Sequence, residues 1–111
     1  MPLYIKSPIT GEQIQVAEND FPDRMNWDDA VRACQKLGSG WRLPDKDELK
    51  AMYEQLHKQG KGNFKNEWYW SSSQSNSGGA WVVSFGDGDV VSNIYDYKDG
   101  TNQVRAVRAL P

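Results

Sequence analysis

The sequence predicts an α+β fold in which two helices precede an antiparallel sheet. Apolar residues recur at helical spacing over residues 26–38 and again over residues 45–59. After residue 67 apolar and polar residues alternate, and Gly, Asn and Asp separate the segments, which is typical of strands joined by tight turns. Helices followed by strands, rather than alternating with them, indicate an α+β domain.

Length and charge limit the domain organisation and the partners. The 111 residues make one domain, 1–111. The net charge of −2 supplies no basic field, so we expect no nucleic-acid partner and no attraction to an anionic membrane. The sequence contains no apolar run long enough to predict membrane insertion. Its first residues lack the basic and apolar regions of a signal peptide, so the sequence assigns no location. Cys34 is the single cysteine and cannot form an internal disulfide.

The first half of the chain predicts a hairpin and a helix. Residues 3–16 contain two short alternating segments around Thr10-Gly11, which indicates a hairpin, and residues 17–25 form a polar loop. Asn26 is placed to cap the first helix, and Gly38 to end it. The predicted buried stripe of this helix is Trp27, Ala30, Val31, Cys34 and Leu37.

A second helix follows the extended segment 40–44. Asp45 and Glu48 have the spacing of a capping box, in which each side chain accepts a hydrogen bond from the other residue's backbone amide. The glycines at 60 and 62 end this helix. Its predicted apolar stripe is Leu49, Met52, Tyr53 and Leu56.

The remaining chain predicts strands. We expect strands at 68–73 and 80–85, then a tight turn at 86–88 and a returning strand that begins at Val90. Residues 93–102 are irregular, and a terminal strand covers 103–110. Arg105 lies between apolar residues in that strand, so one of its faces is expected to carry charge.

The alternation along residues 80–97 predicts a binding surface. Trp81, Val83 and Phe85 point to one side and form the largest apolar set, so we assign them to the core. Their neighbours then face outward, and a mixture of Tyr, Ser, Gly and Asn is the one that antibody paratopes use. The predicted ligand-binding residues are Val82, Ser84, Gly86, Asp87, Asp89, Val91, Ser92, Asn93, Ile94, Tyr95, Asp96 and Tyr97.

Four ordered blocks, GWRLPDKDEL, YWSSS, AWVVSF and QVRAVRAL, carry a family resemblance. They resemble the C-terminal domain of bacterial collagen-like adhesins and the variable proteins of diversity-generating retroelements, which occur in bacteria and phages. The resemblance runs from about residue 26 to residue 110. It implies a C-type lectin fold, with two helices flanking a twisted sheet and the termini brought together.

The resemblance to retroelement variable proteins implies a candidate variable region at 68–108. In such proteins Asn codons are altered at their adenines, which excludes Lys, Glu, Gln, Met and Trp, and residues 82–97 contain none of these. The resemblance implies binding to a protein or a cell-surface ligand through residues 82–97. Ordinary turn chemistry is the alternative, but it does not account for Val82, Val91, Ile94, Tyr95 and Tyr97.

Metal binding and catalysis have weaker support. Four aspartates, Asp87, Asp89, Asp96 and Asp99, are possible calcium ligands, but Gly-Asp-Gly-Asp is also a common hairpin tip. The Glu-Pro-Asn and Gln-Pro-Asp signatures of calcium-dependent lectins are absent from the sequence, so we predict no metal and no cofactor. Cys34 lies on an apolar stripe and His57 near a helix end, and we expect no enzymatic activity.

Three arginines lie in the blocks that carry the resemblance: Arg42, Arg105 and Arg108. Stacking on Trp, or pairing with a carboxylate such as Asp47 or Glu48, would make them part of the scaffold. An anion-binding patch is the alternative, and adhesin relatives are linked to sulfated glycosaminoglycans. The predicted surface is acidic instead. A carbohydrate-binding adhesin domain is the second functional hypothesis, and a module for assembly into an oligomer is the third.

Overall fold

A computed structural model describes residues 2–75, 79–91 and 100–110. Its helices and strands follow the predicted order of hairpin, two helices and sheet. They are β1 (Leu3–Lys6), β2 (Gln13–Val16), α1 (Trp27–Gln35), α2 (Lys46–Gln55), β3 (Trp68–Gln74), β4 (Ala80–Ser84), β5 (Val90–Val91) and β6 (Val107–Ala109). A single 3-10 turn, His57–Gln59, follows α2. The α+β class predicted from the sequence is confirmed.

The described strands form two antiparallel sheets of three strands each. The first has the order β1-β2-β6, so the first and last strands of the chain lie on either side of β2. The second has the order β3-β4-β5. Arg42 forms an antiparallel bridge with Val107, which adds the segment before α2 to the edge of the first sheet.

Helix α1 begins as predicted and ends earlier than predicted. The Asn26 side chain accepts a hydrogen bond from the Asp29 amide at 2.9 Å, and Ala30 and Cys34 are buried. The helix ends at Gln35, so Leu37 falls beyond it and is 48% exposed. The prediction that Leu37 belongs to the buried stripe is therefore wrong, because the stripe stops where the helical backbone stops.

Helix α2 has the predicted capping box. The Asp45 carboxylate accepts from the Glu48 amide at 2.7 Å, and the Glu48 carboxylate accepts from the Asp45 amide at 2.9 Å. Leu49, Met52 and Leu56 are buried as predicted, and Tyr53 is half-buried against the same core.

Two apolar clusters lie on opposite faces of the second sheet. On one face α2 and the first sheet pack against Tyr69, Val83 and Phe85. On the other face α1 packs against β3, and the cluster contains Trp70 and Val82. The remaining buried members of this second cluster are Ala30, Cys34, Leu43, Ala80, Val104 and Ala106. The second sheet is thus an inner layer of the domain.

The C-terminal segment joins the two sheets and is less regular than predicted. Regular strand covers only Val107–Ala109, whereas Asn102 and Gln103 form isolated bridges with Met25 and Tyr69. Arg105, which was expected to give one face of this strand its charge, has a fully buried side chain.

Arg105 is accommodated by a complete set of partners. Its Nε donates to Asp20 at 2.8 Å, and its terminal nitrogens donate to the carbonyls of Ala17 and Gly62. Asp20 also accepts a hydrogen bond of 2.6 Å from the Tyr69 hydroxyl. Burial lowers the pKa of Arg105, and the negative charge of Asp20 opposes that shift. This network ties the loop 17–25 and the C-terminal segment to β3.

Candidate ligand-binding surface

The β4–β5 connection is a loop with a tightly hydrogen-bonded backbone. Its strands pair through Val83 and Val90, so the loop comprises residues 84–89. The Ser84 amide donates to the Asp89 carbonyl at 2.8 Å, and the Gly88 amide donates to the Ser84 carbonyl at 2.7 Å. The Ser84 hydroxyl oxygen accepts from the Gly86 amide at 3.2 Å. The loop backbone is therefore held mainly by backbone hydrogen bonds and by the buried Ser84 side chain.

Helix α2 packs against this loop at Gly88. Gly88 has φ +85°, and a Cβ atom there would lie 2.6 Å from the Tyr53 ring and 2.8 Å from the Lys50 amine. Lys50 also donates a hydrogen bond to the Gly88 carbonyl. Only glycine combines this left-handed backbone with such close packing. The loop is consequently held in one position on the scaffold.

Two carboxylates are exposed at the tip of the loop. Asp87 accepts a hydrogen bond from the Asp89 amide at 3.1 Å, and both side chains are exposed. That amide is the largest cause of a lowered pKa of Asp87, because it stabilises the charged carboxylate; the Ser84 hydroxyl acts in the same direction. The tip therefore presents negative charge at neutral pH.

Two of the predicted surface residues are buried. Val82 has 0% exposure and Ser84 has 9%, so the prediction that they face outward is wrong. Val82 points away from Val83, as the alternation requires, but it points into the second apolar cluster beside Trp70. Alternation gives the face of a strand correctly. It identifies the solvent side only when one face of the sheet is open.

The other predicted positions divide into two groups. Gly86, Asp87 and Asp89 are exposed, and Val91 is half-buried on the edge strand. The remaining predicted residues lie outside the part of the chain that the structure describes: Ser92, Asn93, Ile94, Tyr95, Asp96 and Tyr97. Their role in ligand binding stays a prediction.

The sequence analysis missed the partial exposure of two tryptophans in the second sheet. Trp81 was assigned to the core, yet it is only partly buried and the Lys46 amine lies 4.3 Å from its ring centre. Trp68 pairs with Ser84 across the sheet and is 39% exposed. The position of each residue at an end of its strand was the available signal, since strand ends extend beyond the covering helices.

All three arginines make the contacts expected of scaffold residues. Arg42 makes a bidentate ion pair with Glu48, at 2.7 and 2.8 Å, which confirms one of the predicted pairings. Arg105 pairs with Asp20, a partner that the sequence did not suggest. Arg108 stacks on Trp41, with 4.9 Å between its guanidinium carbon and the ring centre.

Of the nucleophilic and titratable candidates, Cys34 is part of the core and His57 is half-buried. Cys34 is buried, and desolvation raises the pKa of its thiol to about 12. His57, expected to be a solvated helix-end residue, instead packs on Phe85 and forms a 2.7 Å hydrogen bond with Asn66. Among residues 2–75, 79–91 and 100–110, no three His, Cys, Asp or Glu side chains are grouped to hold a metal ion. Asp96 and Asp99 of the calcium alternative lie outside those residues.

The structure and the family comparison together define the class of protein. The two helices and two antiparallel sheets are compatible with a C-type lectin-like fold, in which an exposed loop is carried by a rigid core. In the described residues no helix has the length and apolar character needed to span a bilayer.

The chain belongs to the Lcl C-terminal domain family, whose model matches residues 11–108. The match covers most of the chain and includes the first three sequence blocks and residues 103–108 of the fourth. No protein with curated annotation matches the chain. Family membership supports an adhesin-like or variable-binding module.

Proposed function

We propose that this protein is a non-enzymatic binding module that presents an exchangeable surface on a rigid C-type lectin-like scaffold. Its ligand is a protein or another cell-surface molecule. The surface comprises Gly86, Asp87, Asp89 and Val91 together with the residues at 92–97. Val82 and Ser84 are excluded from it because they are buried.

The observation that carries this proposal is the separation of roles within the 84–89 loop. Backbone hydrogen bonds, Gly88 and Lys50 hold the loop, whereas the exposed side chains of Asp87 and Asp89 lie at its tip. A substitution at the tip then changes the chemistry offered to a ligand without removing a buried contact. A binding surface that is already ordered also loses less conformational entropy when a ligand binds.

We further propose that this region is diversified by a retroelement. The exposed loop residues Gly86, Asp87 and Asp89, and the half-buried Val91 of β5, are all types that an altered Asn codon reaches, in keeping with the variable proteins that the sequence resembles. Sequencing the neighbouring DNA tests this part. A reverse transcriptase gene beside a near-copy of codons 68–108, differing at template adenines, is expected. Its absence from the locus would contradict diversification and leave the binding proposal standing.

Two libraries test the binding module. One randomises Asp87, Asp89, Val91 and residues 93–97, and the other randomises Trp70, Val82 and Val83, which are all fully buried. Displayed on yeast, most members of the first library should remain folded and yield binders to a probe protein such as lysozyme. Most members of the second should fail to fold. Equal loss of folding in both libraries would contradict the proposed separation of scaffold and surface.

A carbohydrate-binding adhesin domain is the second candidate function. The half-exposed rings of Trp68 and Trp81 favour it, because an exposed aromatic ring beside polar groups can pack against a sugar. A glycan array distinguishes the two candidates. Selective sugar binding that persists after Tyr95→Ala and Tyr97→Ala, and is lost after Trp68→Ala, would favour the adhesin function over the exchangeable surface.

A further inference from the structure

Arg108 differs from the other two arginines of the family blocks in having no carboxylate partner among the described residues. Arg42 and Arg105 each form an ion pair, with Glu48 and Asp20. Arg108 donates through Nε to the Gln15 side chain at 2.9 Å. Its two terminal nitrogens make no hydrogen bond within residues 2–75, 79–91 and 100–110. These are the nitrogens with which a guanidinium binds a carboxylate in a bidentate manner.

The guanidinium of Arg108 is held in place from two sides. Gln15 lies opposite Arg108 in the β2–β6 pairing, and the bridge between Arg42 and Val107 brings Trp41 to its other side. The ring of Trp41 and the amide of Gln15 therefore fix the plane of the guanidinium on the open face of the first sheet. A cation held in this way loses little side-chain entropy when an anion binds.

An apolar groove begins beside Arg108. Gln15 and Trp41 line it together with Leu37 and Ala17, and it encloses about 330 Å³. A second groove of about 310 Å³ shares Ala17, Glu18 and Leu37 with the first and continues along Phe21 and Pro22. The two form one path over mainly apolar side chains, and the Gln15–Trp41 end of this path adjoins the Arg108 guanidinium.

The chemistry of this path selects its occupant. Arg108 at one end fits a carboxylate, and Leu37, with nearly half of its surface exposed, fits an adjoining apolar side chain. The end of a polypeptide supplies both groups, a terminal carboxylate and an adjoining apolar side chain.

We propose that this groove binds the C-terminal end of a partner polypeptide, with the terminal carboxylate on Arg108 and an apolar last side chain against Trp41 and Leu37. The site lies on the first sheet and at the end of α1. This site does not use the 84–89 loop, so the proposal does not depend on the exchangeable surface.

A pair of acetylated six-residue peptides tests the proposal. Both contain Ala and Pro and end in Leu, one with a free carboxylate and one with a terminal amide. In two-dimensional NMR spectra the free acid should shift the Trp41 indole and Arg108 Nε signals. The amide should bind about ten-fold more weakly, because it lacks the charge-assisted hydrogen bonds. Equal affinity of the two peptides, or no binding of the free acid at millimolar concentration, would overturn the proposal.

Variants separate the role of Arg108 from a general effect on folding. Arg108→Gln should weaken binding of the free acid about ten-fold or more, and Arg108→Lys should fall between it and the parent, since a lysine keeps the charge and loses the planar fork. Circular dichroism confirms that each variant is folded. Arg32→Gln, on the exposed side of α1, and Asp87→Ser, on the loop, should leave peptide binding unchanged.

Two further results would also overturn the assignment. Retained affinity in folded Arg108→Gln would exclude the guanidinium as the carboxylate site. Glucuronic acid binding as tightly as the peptide would show that the groove recognises an isolated acid rather than the end of a polypeptide.

Discussion

The two sheets of this protein differ in the number of faces that they bury. In the first sheet Ile5, Ile14 and Val16 are buried on one face, whereas Tyr4 and Arg108 lie on a face that is open. In the second sheet neither face of β4 is open along its centre, because Val82 and Val83 are both fully buried. The first sheet is an outer layer and the second an inner one.

This difference determines where each sheet can bind a ligand. An outer sheet offers side chains along its strands, as Arg108 and Gln15 do beside the groove. An inner sheet offers only its loops, its edge strand and its strand ends. The proposed exchangeable surface of the second sheet is therefore limited to the 84–89 loop and β5, because the face of β4 is buried.

The largest expected effect concerns Arg105, in the segment that joins the two sheets. Arg105→Met leaves the carboxylate of Asp20 buried without its partner, and should lower the free energy of unfolding by about 3–5 kcal/mol. Urea denaturation measures the change. The double variant Arg105→Met with Asp20→Ala should recover part of the loss. A loss below about 1 kcal/mol in the single variant would show that the ion pair is not needed to join the sheets.

A smaller effect is expected for Val82→Thr. A hydroxyl replaces a methyl group at a fully buried position of the inner sheet, which should cost about 1–3 kcal/mol of unfolding free energy. Val91→Thr, at the half-buried edge strand, is the matched control and should cost less than half as much. Thermal and urea unfolding of both variants give the comparison. Equal losses would mean that β4 and β5 are buried alike.

Gly88→Ala tests how firmly the loop is held on α2. The added methyl would lie 2.6 Å from the Tyr53 ring at a positive φ, so we expect a loss of about 1–3 kcal/mol. Gly86→Ala is the control, because its added Cβ would meet the nearest atom at an ordinary 3.5 Å. If the Gly88→Ala protein were as stable as the Gly86→Ala protein, close packing on α2 would not hold the loop, and the proposed function depends on that packing.

The smallest effect concerns the pH response of Asp87. The pKa of Asp87 is lower in the folded protein than in the unfolded chain, because hydrogen bonds stabilise the charged carboxylate. Its contribution to stability is therefore fully present above the unfolded pKa and is lost as the pH falls through the folded pKa. A carboxylate titration by NMR should place the midpoint below the ordinary aspartate value of about 3.9. Replacement of Ser84 by alanine should move that midpoint upward. A midpoint at or above the ordinary value would be inconsistent with the loop geometry.

Local signals in the sequence were sufficient for much of the fold. The Asn26 cap, the Asp45–Glu48 capping box and the hairpin of residues 3–16 depend on neighbours within a few positions, and the structure confirms all three. The end of α1 was placed too late. The apolar periodicity continued through Leu37, although the helical hydrogen bonds did not.

The candidate site was predicted only in part, for a non-local reason. Gly86, Asp87 and Asp89 are exposed because they belong to a turn, which the sequence identifies. The burial of Val82 depends on Val104 and Ala106, more than twenty residues away, covering that face. The partner of Arg105 likewise lies 85 positions earlier in the chain, and no local pattern identifies it.

The sequence alone therefore determined the order of the elements, their caps and turns, and the face on which each strand residue lies. These properties follow from backbone geometry and nearest neighbours. The tertiary structure decided which faces are covered, which arginines are paired, and hence which side chains remain available to a ligand. Those outcomes depend on contacts between distant segments, and such contacts form only when the two sheets and two helices pack together.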